Sequence, residues 1–197
     1  MDRAQLRRRG RGWTLWTIAT TVPFALAGAA LLWAEPFAAP VAIASFAHGW
    51  IIPELHAFRG ASVLRRKGPR GRPEAEPVAQ GFLGDLLSHG PRELQRTTGL
   101  ALEPGRFGTW LVGEAGAVLV LPGGRRVHSF CVRAQGAALP PSDRVAHLLL
   151  ALRTDEVGFA TVANHSFSGA PWRIRRRLPA PMRPAFDAAL AAARSED

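Results

Sequence analysis

The sequence predicts a membrane helical hairpin followed by a small soluble α+β domain built on an antiparallel sheet. Three observations carry that expectation. Trp13 to Ala34 is a run of 22 residues without a charged side chain, and a second apolar run, Phe37 to Phe58, starts two residues later. Beyond residue 77, helical periodicity and strand-like alternation interleave, the pattern of helices packed beside a sheet.

The first segment (WTLWTIATTVPFALAGAALLWA) would extend about 33 Å as a helix, enough for a hydrocarbon layer of roughly 30 Å. Trp13, Trp16 and Trp33 lie near its ends, where indole rings favour a water–lipid boundary. Pro23 removes one backbone hydrogen bond, a loss that membrane helices accommodate. A cleaved leader fits less well, because the apolar run continues past the A-x-A-like site at residues 25–27 and a second run follows. The second segment (FAAPVAIASFAHGWIIPELHAF) holds only Ser45 and His48 as clearly polar side chains in its first 16 residues. Glu54 and His56 fall where the returning helix would near the interface. The joint Glu35-Pro36 is short enough for a tight hairpin or for a partly re-entrant second helix.

Charge distribution sets the orientation. The chain carries a net +10 over its 197 residues. Residues 1–72 contain 11 basic and three acidic residues, against 14 and 12 in residues 73–197, so the excess flanks the apolar runs. A nucleic-acid-binding protein would carry its basic stripe on the folded module itself, so no nucleic-acid partner is expected. By the positive-inside bias, the basic N-terminus (1–12) and the basic, Pro-rich linker (59–77) both lie in the cytoplasm. The expected location is an inner or plasma membrane, crossed twice, with both termini cytoplasmic. Anionic lipid head groups are the expected partners of these flanks.

The linker ends in GPRGRPEAEP (68–77), which is rich in Pro, Gly and charge and reads as extended. The α+β domain then occupies residues 78–197. Gly81–Ser88 and Arg92–Thr98 suggest a helix broken at His89-Gly90-Pro91. Arg106–Val112, Ala117–Leu121 and Arg126–Arg133 form a three-stranded antiparallel meander around Gly113–Gly116 and Pro122–Gly124. Pro140 to Arg153 reads as a helix capped by Ser142. Val157–Asn164 reads as a further strand, Trp172–Leu178 as an extended segment, and Pro181–Arg194 as a terminal helix starting near its second proline.

Candidate sites are few. His48 is titratable within an apolar span, so it is expected to face a partner or a wet cavity, or to bond as a neutral ring to Thr17, Thr20 or Thr21. Glu54 and His56 are the other polar groups of the span, and with Arg59 they offer an interfacial charge cluster. In the domain, NHSFSGAPWRIRRRL (164–178) stands out. If extended, it sets Arg173, Arg175 and Arg177 on one face and Trp172, Ile174 and Leu178 on the other, with Arg176 as the exception. Guanidinium rows bind phosphate and head groups well, and Ser166 and Ser168 add hydroxyls. This stretch is the expected contact for an anionic ligand or the membrane surface. The alternative is an edge strand guarded by charge.

No zinc spacing occurs, and no metal or cofactor is expected. The single Cys131 excludes an internal disulfide. On a strand, Cys131 and His128 point to opposite faces, which disfavours a thiol–imidazole pair. No catalytic residue is indicated. The function that follows is a membrane-anchored, non-catalytic module whose cytoplasmic domain binds an unidentified protein or an anionic ligand at the membrane surface. Two alternatives compete. One is an enzyme for lipid-linked or phosphorylated substrates, drawing on Asp155, Glu156, His165 and Ser166; the other is a small oligomeric transport component built around His48.

Overall fold

The computed structural model describes residues 1–65, 73–132 and 139–195. Helix α1 (Arg3–Ala34) starts at a capping box: the Asp2 carboxylate accepts the Gln5 N–H (2.6 Å) and the Gln5 side chain accepts the Asp2 N–H (2.9 Å). The basic N-terminal stretch is therefore the first turns of the same helix that carries the apolar run, with Pro23 inside it. A single 3₁₀ turn at Pro36–Ala38 reverses the chain into α2 (Ala39–Ser62). Small residues let the two helices close on one another. A methyl at Gly28 would meet the Phe46 ring at 2.9 Å and the Ala42 carbonyl at 3.1 Å, and Gly49 lies over Thr21 and Phe24. The Ser45 hydroxyl donates across the pair to the Phe24 carbonyl (2.7 Å). Both helices are long and apolar enough to cross a membrane. Their outward side chains, among them Leu15, Trp16, Ile43, Trp50 and Leu55, are exposed, and Trp33 and Phe37 at the tip are 93% exposed.

Helices α3 (Glu76–Asp85) and α4 (His89–Thr98) follow. Then come β1 (Ala101–Pro104), β2 (Thr109–Gly113), β3 (Gly116–Val120) and β4 (Val127–Cys131). Helices α5 (Pro141–Thr154) and α6 (Glu156–Val162) lead to β5 (Asn164–Gly169), α7 (Pro171–Arg177) and α8 (Arg183–Ser195). The strands form one antiparallel sheet in chain order, β1 to β5. The predicted meander is its centre, and the α+β class holds.

Strand alternation divides the core in two. Trp110, Val112, Ala117, Leu119 and Phe130 face α3, α5 and α6, whereas Leu111, Val118, Val120 and Val127 face α7 and α8. The apolar hairpin enters both layers. Leu6 of α1 is 1% exposed within the first core, while Ala57 and Ala61 of α2, with Leu64 just beyond it, belong to the second. The hairpin thus straddles the β5 edge of the sheet, one leg on each face. Gly10 of α1 abuts Arg126 and His128, and Gly60 of α2 abuts Phe167 and Ile174. An exposed edge strand invites pairing with other chains; here the two legs cover it. Packing does not stop at residue 77.

A β-bulge makes this fork possible. Ser129 pairs with Phe167 and Phe130 with His165, so Ser166 is the extra residue on β5. Residues 165 and 167 would otherwise share a face. The bulge turns His165 toward α1 and His128, and Phe167 toward α2.

Several expectations are corrected. Residues 157–162 are helix α6, because the Asp155 carboxylate caps the Gly158 N–H (2.8 Å) and turns Phe159 and Ala160 into the first core. The strand begins only at Asn164. Trp172–Arg177 is not extended: Pro171 occupies the first position of α7, with φ preset for a helix. Pro91 lies within α4, and the break falls at residues 86–88. Ser142 does not cap α5; its hydroxyl donates to Glu76 Oε1 (2.6 Å), tying α5 to α3. Residues 73–77, expected to be extended, form a 3₁₀ turn and the start of α3, while 68–72 lie outside the described residues. Arg133, expected to end the third strand, also lies outside them.

Glu156 locks the approach to β2. Its carboxylate accepts the Arg106 N–H (2.6 Å), the Phe107 N–H (3.0 Å) and the indole N–H of fully buried Trp110 (2.7 Å). Glu156→Ala leaves these donors unpaired, at about 1–3 kcal/mol for a buried one. A loss of about 3 kcal/mol in unfolding free energy is expected from denaturant titration of the full chain in micelles, with a change below about 1 kcal/mol contradicting this role.

Candidate functional site

Of the polar groups singled out from the sequence, Glu54, His56, Arg173 and Ser168 gather where the hairpin legs diverge around β5, whereas His48, Arg175 and Ser166 do not join them. His48 stands apart, exposed on the outer side of α2. Its Nδ1 lies 2.8 Å from the Ala44 carbonyl and its ring stacks on Phe24 (5.6 Å), so none of the three expected threonines is its partner. Glu54 and His56 do reach the fork. Glu54, with only 12% of its side chain exposed, pairs with Arg176 (2.6 Å) and with Arg177. His56 meets the Trp13 ring edge-on at 5.5 Å. Trp13 also contacts His165 (5.4 Å) and Phe167 (6.1 Å), wedged between both legs and β5.

The helical form of α7 redistributes its arginines. Arg175 turns away to a two-point pair with Asp187 of α8 (2.7 and 2.8 Å), whose hydrogen bonds hold the Asp187 carboxyl below its ordinary range. Arg176 and Arg177 share the single carboxylate of Glu54. Trp172 is half-exposed, with the guanidinium carbons of Arg173 and Arg176 at 5.2 and 5.4 Å from its ring centroid. Arg173 has no carboxylate partner among the described residues.

A hollow of about 260 Å³ lies beside this helix, lined by Trp13, Thr14 and Thr17 of α1, Pro53 and His56 of α2, Phe167 and Ser168 of β5, and by Arg126 and Arg173. Arg126 is its centre, and nothing in the sequence marked it. It donates to the Gly10 carbonyl (2.6 Å), to Thr14 Oγ1 (3.0 Å) and to Ser168 Oγ (3.3 Å). All three acceptors are neutral, and no carboxylate pairs with Arg126 among the described residues. The only available signal was strand register, which puts 126 on the face of 128 once β4 is placed. Of the two predicted serines, Ser168 lines the hollow, whereas Ser166 donates to the Ser129 carbonyl (3.1 Å) across the bulge.

Behind the hollow, His128 Nδ1 and His165 Nε2 are 3.1 Å apart. His128 is fully buried, and its Nε2 has no partner among the described residues. Burial, then the charges of His165, Arg126 and Arg9, lowers its pKa to about 3. Burial and Arg9 lower His165 to about 4, against a hydrogen bond to the Phe167 backbone. The pair is neutral at physiological pH.

The four groups named for acid–base chemistry do not share a pocket. Asp155 caps α6, Glu156 anchors residues 106–110, His165 pairs with His128, and Ser166 is spent on β4. Among the described residues no group of three or more His, Cys, Asp or Glu is placed to hold a metal ion. The geometry defines an α+β domain gripped at one sheet edge by an apolar helical hairpin, with an unneutralised cationic hollow at the grip. Comparison with protein families, with curated proteins and with solved structures gives no match.

Proposed function

We propose that this chain is a membrane-anchored, non-catalytic module: the α1/α2 hairpin crosses the lipid, and the domain sits against the cytoplasmic surface, where it binds an anionic ligand. One observation carries the reading. The outward apolar side chains of the hairpin include Trp16, Trp50, Leu55 and Phe58, and neighbouring residues of the same two helices, Trp13, Thr17, Pro53 and His56, line the hollow that holds Arg126 and Arg173. Continuous exposed apolar surface of this extent marks contact with lipid or with another protein, and the tryptophan and arginine rim suits a head-group layer. Basic flanks at both ends of the hairpin, and none in its turn, support cytoplasmic termini.

The ligand site moves from the predicted arginine row to the pair Arg126 and Arg173, since Arg175, Arg176 and Arg177 already have carboxylate partners. The enzyme alternative draws no support from the dispersed acid–base groups.

The full chain, expressed in cells, is expected to remain in the membrane pellet through an alkaline carbonate wash and to dissolve only with detergent. A C-terminal fluorescent-protein fusion should fluoresce and a C-terminal alkaline phosphatase fusion should be silent. Release by carbonate would end the anchoring; an active phosphatase would reverse the orientation.

A further inference from the structure

We infer that the hollow at the fork holds the phosphate head group of an anionic phospholipid, seated against Arg126 and Arg173. The inference rests on the membrane reading above and specifies its ligand.

Uncompensated positive charge at the fork points to an anion. The other arginines of α7 touch carboxylates: Arg175 pairs with Asp187, and Arg176 and Arg177 share Glu54. Arg126 is held instead by a carbonyl and two hydroxyls, which fix the guanidinium in place and leave its charge intact. Arg173 opens onto the same hollow, its guanidinium over the Trp172 ring and without a carboxylate partner among the described residues. Two cations with neutral supports call for an anion, and guanidinium groups suit phosphate oxygens through paired N–H donors.

The wall composition selects a lipid over a free ion. Trp13, Pro53 and Phe167 line the hollow together with the arginines. Inorganic phosphate gains nothing from such a wall, whereas a glycerol backbone and the first methylenes of an acyl chain do. The outward apolar side chains of α1 and α2, among them Leu15, Trp16, Trp50 and Leu55, are exposed along the hairpin, which gives the chains a path. In a half-apolar setting the attraction between phosphate and guanidinium is also screened less than at an open surface.

The test uses the full chain purified in a neutral detergent. Retained lipid is read by native mass spectrometry after incubation with phosphatidylglycerol, with phosphatidylcholine, or with phosphatidylglycerol plus millimolar inorganic phosphate. Wild type is expected to retain phosphatidylglycerol over phosphatidylcholine, and inorganic phosphate should not displace it. Arg173→Gln, which removes a side chain with no hydrogen bond among the described residues, and Arg126→Gln should each lower retention about tenfold, the scale of one charge-assisted contact. Arg125→Gln, the same charge loss at an exposed neighbour, should leave it unchanged. Equal retention by Arg173→Gln and wild type overturns the site whatever happens to Arg126→Gln. Displacement by inorganic phosphate assigns the hollow to a soluble anion and overturns the lipid. Membrane fractionation of each variant is run in parallel: a chain that pellets but loses lipid selectivity tests the hollow, while a chain that fails to pellet tests the anchoring.

Discussion

Gly60→Val is expected to lift the hairpin off the sheet and to lower the unfolding free energy by about 3–5 kcal/mol, at and beyond the upper end of overpacking costs. A Cβ at Gly60 would lie 2.5 Å from Phe167 Cβ and 2.8 Å from its Cγ, with Ile174 Cδ1 at 2.9 Å. Phe167 Cβ is fixed to the β5 backbone and cannot swing aside, so α2 itself must move. Moving it uncovers Ala57, Ala61 and Leu64 and separates Glu54 from Arg176 and Arg177. The readouts are a lower denaturation midpoint in micelles and new protease cleavage near residues 60–65. Two other helical glycines give the opposite sign. A methyl at Gly12 or Gly81 meets nothing within 4 Å, so Gly12→Ala and Gly81→Ala should gain about 0.5–1 kcal/mol from helix propensity alone. If Gly60→Val matched those two in stability, the fork would not be a packed joint.

The difference between these glycines is invisible in the chain, and that pattern extends to the whole fold. Signals with a long period or a strong exclusion were legible: two long apolar runs, the first without charge, a meander spaced by glycine turns, and a terminal helix opening on proline. Short elements were not. VGFATVAN carries the β-branched residues of a strand, yet Asp155 caps it as helix α6. NHSFSG has the polar and small residues that strands disfavour, yet pairing with β4 between the hairpin legs makes it β5. β propensity describes fit to a half-buried pleated surface, and that surface exists only after the fold has formed. The proline that starts α7 was a usable signal, outweighed by the apparent alternation of arginines behind it. Arg126 is the clearest case. Its importance comes from Gly10, Thr14 and Ser168, which lie 42 or more residues away and meet it only in the folded chain.

The same fork should make the protein sensitive to acid. His128, at about 3, and His165, at about 4, both lie well below the ordinary 6.5, so between those limits the unfolded chain binds protons that the folded chain refuses. The sign is fixed by that difference: stability is indifferent to these groups above about pH 7.5, falls as the pH drops below about 6.5, and levels only near the folded values. Each histidine contributes at most about 1.4 kcal/mol per pH unit in that window, so by pH 5 the pair could remove about 4 kcal/mol. The depressed Asp187 carboxyl acts in the same direction but at lower pH, below its own unfolded value near 4, which leaves the interval from 6.5 to 5 to the histidines. Structurally the cost arises because His128 is fully buried against α1, with Arg126 on one side and His165 on the other, and offers a proton on Nε2 no acceptor. Denaturant midpoints measured at pH 7.5 and pH 5 in the same detergent should therefore differ strongly for wild type. His128→Leu combined with His165→Gln should flatten the difference, whatever the variant's stability at pH 7.5. A wild-type midpoint unchanged between the two pH values would mean that the imidazoles accept protons in place, and that the joint between hairpin and sheet is wetter than its packing implies.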